Sequence, residues 1–244
     1  MSLRDFGWTE LFFLLYAARW TLLLSAIAFF GGGALGLLVA ACRVAPARWV
    51  RLGASAYITL FQGTPILVQL LLAYYGASFL GFQPDAWVAA SLTFILNTSA
   101  FFGEIWRGCI EAIPRGQWES ARALGLRYAA ILRLVVLPQA LRIMVAPTVG
   151  YMVQIVKTTS VASLIGITEI TRTAVMVNTV TFDPVRVFGT LACAYFIMCW
   201  PLSYASARLK PRLDAGRTGE IGDAFRQKAT VRPAIDLEPV AGQV

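Results

Sequence analysis

The run Thr21–Ala41, TLLLSAIAFFGGGALGLLVAA, is twenty-one residues long and carries no charge. A helix rises 1.5 Å per residue and the hydrocarbon core of a bilayer is roughly 30 Å thick, so about 20 apolar residues cross it. Four further stretches are equally free of charge: Leu52–Pro84, Ala86–Gly103, Ile143–Val156 and Val187–Ala207. The fourth of the five runs is short. Extended back to Leu137 it reaches twenty residues, with Arg142 near one end, where its long side chain can snorkel to the interface. These runs are continuous rather than alternating, which favours helices over strands. The sequence predicts an all-α membrane protein with five transmembrane helices.

Composition agrees. The chain has 244 residues, 58% of them hydrophobic and only 14% charged, against about 25% charged in ordinary soluble domains. It contains no histidine, which excludes imidazole chemistry as zinc ligand, triad base or proton relay. Its four cysteines, Cys42, Cys109, Cys193 and Cys199, form no CxxC pair and no ligand cluster, so neither a disulfide framework nor a metal site is implied.

The net charge of +8 is unevenly placed. Sixteen of the 21 basic residues fall in Arg43–Arg51, Arg107–Arg142 and Arg208–Val244, which an odd number of spans puts on one side. The positive-inside rule makes that side cytoplasmic, so the N-terminus is expected outside and the C-terminus inside. The charge is thus a topology signal, and nucleic-acid binding is not needed to explain it. Met1–Glu10 lacks the positive start of a cleavable signal. Residues 1–19 are expected to form a separate outer-face interfacial segment, with Trp8 and Trp20 at headgroup depth. Residues 20–210 form the transmembrane domain, and residues 211–244, rich in proline, glycine and charge, read as a disordered cytoplasmic tail. Gly32 and Gly36 make one GxxxG, a mark of close helix packing.

The most informative soluble segment is cytoplasmic, about residues 107–138. Glu104, Arg107 and Glu111 share one helix face. Ile113–Pro114 should end that helix, because the residue before proline is pushed out of the α region. Gln117–Leu124 reads as a short helix with Trp118 and Ala121 on one side, stopped by Gly125. A second short helix, Tyr128–Val136, is expected to stop at Leu137–Pro138.

Glu119-Ser120-Ala121, three residues, Gly125, nine residues, then Val135-Val136-Leu137-Pro138 resembles the EAA loop of ATP-binding-cassette importer permeases. Ser120 and Val135 are mild departures from the family's alanine and isoleucine. Three other stretches resemble the polar amino acid (histidine/glutamine/arginine-type) branch: Phe61–Gln69, Glu104–Gly108 with Pro114–Gln117, and Leu137–Ala140 followed by Lys157–Ser160. Gln62 stands where that branch usually has arginine, and Thr158 where it usually has aspartate. The resemblance covers about residues 15–210 and implies the type I importer permease fold. It implies that Glu119, Ser120, Ala121, Gly125, Leu137 and Pro138 couple to a separate cytoplasmic ATPase dimer. It also implies a second permease subunit, identical or paralogous, a periplasmic or extracellular substrate-binding protein, and an amino acid substrate. The chain has no GxxxxGK[ST], so no cofactor is expected on it and ATP belongs to the partner.

Polar groups inside a bilayer are costly and tend to face a bundle interior or a water-filled path. Pro65, near the middle of the second charge-free run, has no N–H for the Phe61 carbonyl and should kink the helix; Pro147 should do the same to Ile143. Gln62, Thr64, Asn97, Gln154 and Lys157, with Thr158 and Ser160 from the resembling segment, are the candidate substrate path. The bland alternative is that they are bundle glue, at roughly 0.6–2 kcal/mol per hydrogen bond. Lys157 is expected to pair with Glu169 or Asp183, or to attract a substrate carboxylate. An ion-coupled secondary transporter of small polar solutes would need an inverted repeat and a buried acidic relay. Neither is visible, since Glu104 is the sole acid in the spans. An intramembrane enzyme would lack a base.

Overall fold

The structure is a computed structural model that describes residues 6–230, with side chains from Phe6 to Leu209. Every regular element in it is helical: α1 (Trp8–Arg43), α2 (Arg48–Gly63), α3 (Ile66–Phe79), α4 (Ala86–Glu111), α5 (Arg115–Ala123), α6 (Tyr128–Ile165), α7 (Ile170–Thr181) and α8 (Pro184–Thr230). α1, α4, α6 and the Pro184–Leu209 portion of α8 are each long and apolar enough to cross a membrane. α2 and α3 meet at a bend of 100° and pass the same length and hydropathy test only as a pair. The structure thus has four such spans among the described residues, and five when the bent pair is counted as one.

α1 packs along α4, and the small residues of both explain why. A Cβ on Gly32 would lie 2.6 Å from that of Thr98, and one on Gly36 would lie 2.9 Å from that of Phe102. Only glycine lets the two backbones come this close. Phe102 fills the space beside the contact, wholly buried and stacked on Trp106 at 5.0 Å. The main core joins α1, α4 and α6 through Leu24, Ala28, Phe94, Phe102, Met144 and Ile155. A smaller core of Leu14, Ile170, Ala174, Val177 and Val187 holds α7 against α1 and α8. α7 has 12 residues, about 18 Å, too short to cross.

Three expectations about the elements need correction. No break separates the described part of the expected segment 1–19 from the first span, because α1 is continuous over 36 residues from Trp8, about 54 Å; residues 1–5 lie outside the described residues. α1 contains no proline, and the Arg19 guanidinium is accommodated 3.6 Å from the Tyr16 ring centre and 4.5 Å from that of Trp20. Leu137–Pro138 likewise ends nothing. A π-helical turn, Ile131–Val136, precedes the proline and widens the helix where its missing N–H would be felt, so α6 runs through. Finally, α8 continues past Pro211 to Thr230. Arginine, glutamate, alanine and glutamine in that stretch favour helix; residues 231–244 of the expected tail lie outside the described residues.

Candidate functional site

The loop between α4 and α6 is built around α5. α4 ends at Glu111 ahead of Pro114, and buried Ile113 pins the turn to the core. α5 then presents two faces. Ala121 is 4% exposed and, with half-buried Trp118, packs against the main core, whereas Arg115, Glu119, Ser120 and Arg122 are exposed. Its end is a paired-bond cap: Gly125 N–H donates to Arg122 O (2.9 Å) and Leu126 N–H to Ala121 O (3.2 Å). Such a cap needs a left-handed residue, and Gly125 supplies it at φ +75°. Glu119, Ser120, Ala121 and Gly125 therefore form one surface unit. Leu137 and Pro138 do not belong to it; they lie within α6, beyond the π turn against which α5 packs.

The second candidate region is the break between α2 and α3. The Phe61 carbonyl freed by Pro65 accepts from Gln69 Nε2 at 2.8 Å and from Asn97 Nδ2 at 3.2 Å. Gln69 Nε2 also donates to Thr64 O (3.0 Å) and Thr64 Oγ1 (2.7 Å), while Thr64 Oγ1 donates to Leu60 O (2.8 Å). Asn97 in turn donates to Gln69 Oε1 at 3.1 Å, and Gln62 Nε2 reaches Ala100 O at 3.4 Å. Three of the path candidates, Gln62, Thr64 and Asn97, thus hold backbone around the bend. The sequence reading missed Gln69, the residue that ties the network together. Its signal was a polar side chain inside a charge-free run, one helical turn beyond a proline.

Beside this network lies a cavity of about 10 Å³, room for one water. Asn97, Thr98, Tyr151 and Thr158 give it polar walls. Asn97 and Thr158 are thereby brought together. Gln154, Lys157 and Ser160 do not line the cavity: exposed Gln154 donates to Thr158 Oγ1 (3.4 Å), and Ser160 Oγ caps Lys157 O (2.8 Å). Lys157 is exposed and makes neither expected ion pair. Glu169 faces the core instead, and Asp183 pairs with Arg186 at 3.2 Å.

Comparison with known proteins gives this geometry its context. Residues 32–217 match the family of binding-protein-dependent transport system inner membrane components. The chain belongs to this family. The permease is similar to the octopine transport system permease protein OccM of Rhizobium meliloti, at 35% identity over 84% of this chain and 85% of that one. It is also similar to the probable amino-acid ABC transporter permease protein YckA of Bacillus subtilis, at 33% identity over 74% of this chain and 80% of that one. A crystal structure of an amino acid ABC transporter with histidines superposes with a TM-score of 0.80 at 30% identity, covering 87% of the permease and all of that chain. The MetNI methionine transporter, at 18% identity and a TM-score of 0.71, shares the fold. The protein is a multi-pass permease subunit of the inner membrane, distinct from the ATPase of its importer, and the family implies ATPase and substrate-binding partners.

One acid in the permease has a place that the sequence reading did not give it. Glu169, 0% exposed, is the N-cap of α7: Oε1 accepts from Arg172 N–H (2.8 Å), and Oε2 from Thr21 Oγ1 (3.3 Å) and Tyr195 OH (3.4 Å). It staples α7 to α1 and α8. An acid outside the charge-free runs gave no sign in the sequence of being buried.

Proposed function

We propose that this permease is the membrane subunit of an ATP-driven amino acid importer and forms half of its translocation path. α5 is the element that docks on the cytoplasmic ATPase pair, which binds the ATP. A second permease chain, identical or paralogous, completes the path, and a substrate-binding protein delivers the amino acid from outside. The N-terminus lies outside and the C-terminus in the cytoplasm, in keeping with the distribution of basic residues. The amino acid assignment is supported by relatives whose names specify octopine, glutamine and cystine transport. Membership of a binding-protein-dependent family supports an importer over an ion-coupled carrier, and the buried acid such a carrier would need is occupied here in capping a helix.

The observation that carries the coupling role is the two-faced α5. A helix of nine residues with an exposed Glu119–Ser120 edge and a buried Ala121 is held at a fixed angle by a left-handed glycine. Asn97 and Thr158, meeting at the small cavity, are the proposed inner part of the substrate path; Gln62, Thr64, Gln154, Lys157 and Ser160 stand further from it.

The test is Gly125→Val. Open space surrounds Gly125, so bulk is tolerated, but a β-branched residue is strained at φ +75°. Uptake of labelled amino acids into vesicles containing the reconstituted importer should fall about tenfold, in the range of typical coupling free energies. ATP hydrolysis and membrane insertion should persist. Uptake at the wild-type rate would remove α5 from the coupling path.

A further inference from the structure

Tyr128 opens α6 just beyond the Gly125 cap and touches two elements that are otherwise apart. Its ring stacks on Trp118 of α5, with centroids 6.1 Å apart and planes inclined by 26°. Its hydroxyl donates to Val44 O at 2.5 Å, eighty-four residues away in sequence. Val44 caps the C-terminus of α1, where the last carbonyls have no partner within the helix. The same turn is gripped a second time, because Arg51 Nη1 donates to Ala45 O (2.9 Å) and Pro46 O (2.8 Å). Val44 and Trp118 both pack against the main core, and Arg43 reaches Glu104 of α4 at 3.7 Å. Tyr128 therefore fastens the α1–α2 turn to α5.

We propose that Tyr128 is a positioning residue of the transport cycle, carrying displacement of α5 into the α1–α2 turn. The inference rests on the reading of α5 as the ATPase-docking helix. Tyr128 is partly exposed, so its hydroxyl and the Val44 carbonyl could both be satisfied by water. What the direct bond adds is register between two elements. α1 is locked to α4 by the glycine contacts, so movement delivered at Val44 reaches the α1–α4 pair that flanks the cavity at Ala28 and Asn97. Without Tyr128, α5 would move against the bundle through apolar contacts alone.

The experiment compares Tyr128→Phe, which keeps the ring and loses the bond, with Tyr128→Leu, which loses both, and with Arg51→Ala, which removes the turn's other side-chain bonds. Each is assembled with its ATPase subunits in vesicles supplied with the binding protein. ATP hydrolysis and uptake of a labelled mixture of the common amino acids are measured together. The amino acids taken up per ATP hydrolysed should fall about threefold for Tyr128→Phe and about tenfold for Tyr128→Leu, the range expected for one interaction of this kind. Arg51→Ala should fall with Tyr128→Phe, and hydrolysis should stay within about twofold of wild type. A purely structural role would lower hydrolysis and uptake in parallel, and that result, or an unchanged ratio in an assembled importer, overturns the proposal. Failure of the wild-type chain to stimulate or bind its ATPase would instead overturn the docking role of α5. If Tyr128→Leu does not assemble, the ratio for Arg51→Ala decides.

Discussion

Proline enters both the α2–α3 region and α6, and the results are opposite. At Pro65 the chain turns by 100°, while α6 carries Pro138 and Pro147 as one helix from Tyr128 to Ile165. The missing N–H is the same in each case, so the difference lies in what surrounds it. In α6 a π turn widens the helix ahead of Pro138, and Gln139 Nε2 donates to Val135 O at 2.7 Å. At Pro65, side chains from two helices replace the helical bonds outright: Gln69 and Asn97 converge on Phe61 O. A proline in a membrane helix thus permits a break without requiring one, and at Pro65 the bonds across the bend come from a second helix as well.

The heaviest blow to this contrast should be Asn97→Leu. It leaves the Phe61 carbonyl short of one donor and Gln69 Oε1 without its partner, in a site 6% exposed. A loss of about 1–3 kcal/mol is expected, read as a lowered midpoint of thermal unfolding in detergent. Adding Gln69→Leu should cost less than the two single changes summed, since they share a network; full additivity would show that the two side chains cap independently.

A smaller effect is expected for Pro65→Ala. With Gln69 and Asn97 still in place the bend should survive, and stability should change by no more than about 1 kcal/mol. The distance between spin labels at exposed Leu52 and Leu80 reports the angle directly. A clear lengthening would mean that proline alone makes the break.

The smallest effect compares two side-chain caps of different charge. Asn97 caps a broken helix as a neutral amide, whereas Glu169 caps α7 as an acid outside the spans. Burial pushes the Glu169 carboxyl above the usual carboxylate range, with hydrogen bonds from Arg172 N–H and Thr21 opposing it. The folded chain then holds that proton to higher pH than the unfolded chain, so folding loses stability as pH rises through this window. Glu169→Gln should flatten that part of the profile relative to wild type, and Asn97→Leu should shift the profile without changing its slope. Parallel curves for wild type and Glu169→Gln would show that the carboxyl is not shifted.

The apolar spans were legible because charge-free length is a property of sequence, read one run at a time; the size of the 100° bend inside the second run was not. The α5 turn was legible for a similar reason: a helix, a glycine and a proline at set spacings describe local geometry, and Gly125 sits at the positive φ its position implied. The polar sites were harder. Gln62, Thr64 and Asn97 were singled out as a path and are found holding backbone, and their partners, Gln69 and the carbonyls of Phe61 and Ala100, come from elements brought together only by tertiary packing. Glu169 and Lys157 went astray for the same reason, since pairing by charge ignores which way each backbone turns. The missing boundary at Arg19 has a different cause. A single cation stacked on Tyr16 and Trp20 is compatible with an unbroken helix, and composition alone does not register that.

The continuity of α6 has a mechanical consequence. One end of this helix begins at Tyr128, against α5, and the stretch from there to Thr158 at the polar cavity is continuously helical, its π turn and Pro147 included. Thirty residues at 1.5 Å each make a beam of about 45 Å, longer than the bilayer core is thick. A beam turning about a fulcrum near its middle moves its ends by similar amounts in opposite directions. Any tilt of α6 would then move its α5 end and its cavity end together, in opposite directions.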